Sequence, residues 1–66
     1  MSQKELLYVE DAINHEQTII SMCSEALNTL EDEKLIAFMQ KELKNHTTTH
    51  EKLLSLLEEN SKWMIN

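Results

Sequence analysis

The stretch that decides the fold is IAFMQKELKNHTTTHEKLLSLL, residues 36–57. Its apolar residues recur at alternating steps of three and four: Ile36, Met39 and Leu43, then Leu53 and Leu57. That spacing draws one stripe along an α-helix of about 3.6 residues per turn, whereas a strand would alternate. Between Leu43 and Leu53 the same steps fall on His46 and His50. Two imidazoles therefore stand one turn apart on a face that is otherwise hydrophobic. The residues between them include Thr47, Thr48 and Thr49. Each is β-branched and costs up to about 0.7 kcal/mol of helix propensity relative to Ala. A long amphipathic face outweighs that cost. One unbroken helix over about 33–62 is expected, with the threonine hydroxyls bonding carbonyls one turn back.

Upstream of this helix, Asp32 is the expected N-cap, with Glu33 in the first turn where the helix dipole favours negative charge. A turn over about 29–32 separates it from an earlier helix over about 3–28. Asn28 is a suitable residue just past the end of that first helix, because Asn enters the left-handed region more readily than most. Ser2-Gln3-Lys4-Glu5 forms a capping box at its start. The seam of the first helix runs Leu6, Val9, Ile13, Glu16, Ile20, Cys23, Leu27 and Leu30, and only Glu16 breaks it. Beside the seam lies a second stripe: Tyr8, Ala12, His15, Ile19, Met22 and Ala26. The later helix has its own, with Leu35, Phe38, Glu42, Thr49 and Leu56. Faces this wide need more than one neighbour.

The fold class expected is all-α, an antiparallel two-helix hairpin forming a single domain over residues 1–66. With the turn centred near residues 31 and 32, residue n of the first helix lies level with roughly residue 63 − n of the second. Ile20 then faces Leu43 and Ile13 faces His50. His15 and Glu16 fall level with His46 and His50, so the polar residues converge on one layer. A lone hairpin leaves its wide faces wet. Two copies paired as a homodimeric, ferritin-like four-helix bundle would cover them.

Composition narrows the classes further. The chain has 66 residues, no Gly, no Pro and one cysteine, Cys23. Such a chain buries a modest core and commonly relies on a staple or an oligomer. Within one chain no disulfide is possible, which makes a reducing, intracellular setting the default. The net charge is −6, with six basic residues, all lysine. No basic patch is available for a nucleic-acid partner. No apolar run reaches the roughly 18 residues of a membrane span, and Met1 to Glu5 lacks the apolar core of a signal peptide. The acidic balance favours solubility.

The polar layer of Glu16, His46 and His50, with His15 at its edge, admits three readings. It is a structural layer that fixes helix register, as polar seam residues do in coiled coils. Or it is a metal site in which His15, Glu16, His46 and His50 hold Zn, Fe or Mn. Or the helix is rotated and the histidines are half exposed. The first is preferred, with no cofactor. Di-metal bundles use Glu-x-x-His, and Glu42 to His46 is one residue longer. Cys23 reads as a small buried hydrophobe. Tyr8 and Trp63 are placed to seal the open end of the bundle. No nucleophile has an arranged base, and no phosphate loop forms without glycine, so catalysis is not expected.

Several short segments together carry a family likeness: Asp11-Ala12-Ile13-Asn14-His15-Glu16, Ile20, Glu25-Ala26-Leu27-Asn28, Asp32-Glu33-Lys34-Leu35, Leu43 with His46 and His50, and Trp63. In this the chain resembles the Coat F family of spore coat proteins over roughly residues 8–63. It departs from that pattern at Asp32-Glu33, where proline is common, and at the end, where Ser61 to Met64 has neither the glycine nor the tyrosine. The resemblance implies part or all of a ferritin-like helical bundle and a structural role in an assembled spore shell, with other coat proteins as partners. It carries over no catalytic residues. Two other functions stay open: a metal-binding bundle with redox or storage chemistry, and a regulatory module whose apolar face docks a partner helix.

Overall fold

Ser2 opens the first helix, α1 (Gln3–Leu27), with a complete capping box. The Glu5 backbone N–H donates to the Ser2 hydroxyl at 3.1 Å, and the Ser2 N–H donates to the Glu5 carboxylate at 2.8 Å. A hydrogen bond donated to a carboxylate favours its charged form. The Ser2 backbone N–H, then its hydroxyl, hold the Glu5 carboxyl below its ordinary value. The computed structural model describes the backbone of residues 1–65 and the side chains of residues 1–60.

The end of α1 corrects one expectation. Asn28 is the C-cap, but it stays right-handed at φ −73° and ψ −22°, and no described residue has positive φ. The last carbonyls are satisfied without a left-handed residue. Asn28 N–H donates to the Glu25 carbonyl at 3.1 Å, and Thr29 and Leu30 N–H donate to the Ala26 carbonyl at 3.1 and 3.0 Å. The Thr29 hydroxyl adds a bond to the same carbonyl at 3.3 Å. A tightened last turn of this kind does the work of a left-handed cap.

Asp32 then starts the second helix, α2 (Glu33–Ile65). One of its carboxylate oxygens accepts from the Lys34 and Leu35 N–H groups at 2.9 and 3.0 Å. The three central threonines stay helical and return their hydroxyls as expected. Thr47 bonds Leu43 at 2.7 Å, Thr48 bonds Lys44 at 3.1 Å and Thr49 bonds Asn45 at 3.1 Å, each at the carbonyl. The helix runs past its expected end near residue 62, in a stretch with neither Gly nor Pro to stop it.

The two helices pack against each other as a hairpin 51 Å long and 15 by 13 Å across, with no strand among the described residues. Both seams face inward. Ile13 and Cys23 are buried, with 7% and 6% of their surface exposed. Leu6, Val9, Ile20, Leu27, Leu30, Ile36, Met39, Leu43, Leu53 and Leu57 are half-buried. The second stripes are open on one side of the hairpin. Met22, Leu35, Phe38, Leu56 and Tyr8 are exposed, Tyr8 by 62%. Trp63, the expected partner of Tyr8 at the open end, lies outside the described side chains. No described helix is long and apolar enough to cross a membrane.

Candidate functional site

The polar layer forms at the midpoint of the hairpin. Glu16 occupies a seam position on α1 and so points at α2. His46 occupies a seam position on α2 at nearly the same level. The His46 Nδ1–H donates to the Glu16 carboxylate across the helix pair. On the other side of the ring, Nε2 stands 3.4 Å from the carboxylate of Glu42, one turn earlier on α2. A carboxylate stands at each ring nitrogen, an arrangement that favours the protonated ring. The Glu16 hydrogen bond raises the His46 pKa above its ordinary value, and the charges of Glu16 and Glu42 add to the effect; burial opposes it. All three side chains are partly open to water, which screens the pair.

The other two histidines behave differently. His50 is half-buried in the seam, and its Nε2 is shielded and has no hydrogen-bond partner among the described residues. By register it stands opposite Ile13, a side chain that can neither donate nor accept. A shielded polar atom without a partner costs about 1–3 kcal/mol. His15 lies one residue off the seam and is exposed. The structure thus joins Glu16 to His46, leaves the His50 Nε2 beside them without a hydrogen-bond partner among the described residues and turns His15 outward.

Zn, Fe or Mn would need several donors converging on one point. Among the described residues no three His, Cys, Asp or Glu side chains are arranged to hold an ion. The Glu16 carboxylate is engaged by His46, and His15 is turned out of the layer, so His15, Glu16, His46 and His50 do not form one donor set within a single chain. Cys23 is a free, buried thiol packed as a small hydrophobe.

Sequence reasoning weighed Glu42 with His46 only as a di-metal spacing and did not place it in the polar layer. The signal was present, because a carboxylate four residues before an imidazole lies on the same helical face within reach of it. Comparison with family models, with characterised proteins and with solved structures returns no match for this chain.

Proposed function

We propose that this chain is a small structural protein that works by self-association, two hairpins joining their exposed stripes as a four-helix bundle. The observation that carries this reading is the amount of surface the hairpin leaves uncovered. It exposes 5466 Å² at a mass of 7.7 kDa. A compact chain of that mass exposes about 4,300 Å², and a compact pair about 7,200 Å². Pairing to full compactness would remove about 1,900 Å² per copy. Even half of that exceeds the roughly 800 Å² per partner of a standard stable interface. The surface in question is apolar in the right places: Leu35, Phe38, Met22 and Tyr8 are all more than 45% exposed on one side of the hairpin.

The Coat F resemblance fits this physical role. It suggests that the bundle is a building block of a spore coat layer, made inside the cell and binding further coat proteins. The Glu16–His46–Glu42 clasp then serves as the polar layer that fixes register between helices, and no catalysis is assigned to it.

Static light scattering over a dilution series tests the physical part. A dimer that persists to micromolar concentration supports it. A folded monomer at that concentration replaces it with the docking-module reading, in which a foreign helix covers the stripe. The spore part is tested separately, by following the protein during sporulation and in extracted coat fractions. Absence from both would remove the coat assignment and leave self-association standing.

A further inference from the structure

Three rows on the exposed side of the hairpin have an internal symmetry, which the outer row of α2, Phe38, Asn45 and Lys52, does not share. On α1 the outer row is Tyr8, His15 and Met22, evenly spaced, with two large side chains around a central histidine; all three are exposed. The row beside it is Ala12, Ile19 and Ala26, small, large and small. The matching row on α2 is Leu35, Glu42, Thr49 and Leu56, two polar residues between two leucines. Each of these three rows reads alike in both directions. Their centres are His15, Ile19 and the Asn45–His46 junction, and the hairpin register brings all three within about one helical turn of the Glu16–His46 level. A surface that reads alike from both ends is suited to a twofold interface in which one patch meets itself.

Two twofold arrangements stack such hairpins face to face. With the axis along the helices, turn lies over turn and α1 covers α2 of the partner. With the axis across the helices, the hairpins run head to tail, and each helix covers its own copy. Both arrangements place most of these apolar groups on apolar groups, and charge separates them. The turn end carries Glu25, Glu31, Asp32 and Glu33, with Lys34 as the one basic residue among them. Turn over turn would crowd two such sets together. Head to tail puts them at opposite ends of a particle 51 Å long, several times the screening length of about 8 Å at physiological salt.

We infer that two copies of this chain pair head to tail, about a twofold axis that crosses the helices at the Glu16–His46 level. Met22 of each copy then meets Tyr8 of the other, the two His15 side chains approach each other at the axis, and both clasps lie at the centre of the bundle. The inference rests on the self-association proposed above and adds its geometry.

The test is site-directed crosslinking in a Cys23→Ala background, with variants made singly and mixed in pairs, one of each pair carrying a mass tag. Light scattering on the unsubstituted protein comes first. Head-to-tail pairing predicts that Met22→Cys mixed with Tyr8→Cys yields a tagged–untagged crosslink with a short thiol-reactive linker. It also predicts that His15→Cys links to itself, and that Met22→Cys mixed with Phe38→Cys links at least tenfold less. A dimer that instead links Met22→Cys to Phe38→Cys and leaves His15→Cys unlinked overturns the head-to-tail geometry and keeps self-association. A monomer in the initial scattering measurement overturns both. Circular dichroism on each variant confirms that helix content is kept, so a missing link is not mistaken for unfolding.

Discussion

Replacing Phe38 by Ala separates a hairpin that stands alone from one that pairs. In the single hairpin Phe38 keeps 57% of its surface in water. A phenylalanine can bury about 200 Å², so about 110 Å² remains to be covered. At about 25 cal/mol per Å², covering it contributes about 3 kcal/mol per copy. An alanine at the same place recovers about a third, leaving a loss of about 2 kcal/mol per copy. Both copies carry the change in a homodimer, so the interface loses about 4 kcal/mol and Kd rises about a thousandfold. In an unpaired hairpin the same substitution acts on a largely exposed side chain and costs only about 0.5 kcal/mol of stability. Sedimentation velocity across a dilution series, with circular dichroism to verify helix content, measures the difference. A Phe38→Ala protein that associates within about threefold of the parent (about 0.6 kcal/mol) would refute the reasoning.

Further outcomes follow from the seam, the caps and the clasp. Leu27→Ala and Leu53→Ala should each cost about 2–5 kcal/mol, toward the lower end because both are half-buried, while Lys44→Ala stays within about 0.5 kcal/mol; equal midpoints in chemical denaturation would place the seam on the wrong face. Asp32→Ala removes the acceptor for the Lys34 and Leu35 N–H groups and should cost about 1 kcal/mol, with Asp32→Asn close to neutral; no difference between the two in thermal melts would deny Asp32 its capping role. The raised His46 pKa stabilises the fold fully below the unfolded value near 6.5, and this contribution fades as pH rises through the folded value. Melts of parent and Glu16→Gln should therefore converge as pH rises toward about 8 if the charged bond is what separates them. Chelator should leave both curves in place. A chelator-dependent fall in the parent that grows with pH, and is lost in Glu16→Gln, would transfer the layer to metal binding.

Most of the hairpin was legible because its signals are local or periodic. Steps of three and four ran through both seams, and every seam position among the described side chains is buried or half-buried. The Ser2 and Asp32 caps and the threonine back-bonds followed from side-chain chemistry within one turn. The level pairing of Glu16 with His46 followed from the turn position and helix rise. What was missed needs atomic placement. Glu42 sits beside the seam, where periodicity counts it as background, and only the position of the His46 ring makes it a partner. His15 is at the right level but one residue off the seam, a rotation of about 100° that turns it outward. Asn28 is able to adopt a left-handed cap, but the Ala26 and Glu25 carbonyls are already bonded by the tightened turn. The wide second stripes were visible in the sequence, and the single hairpin leaves them open.

Small-angle X-ray scattering tests the central claim most directly, since one experiment reads both mass and length. A face-to-face pair has twice the 7.7 kDa mass of the chain within the 51 Å length of one hairpin. The account predicts that combination, held on dilution to micromolar concentration. A particle of single-chain mass, or a two-chain particle close to twice as long as the hairpin, would contradict it.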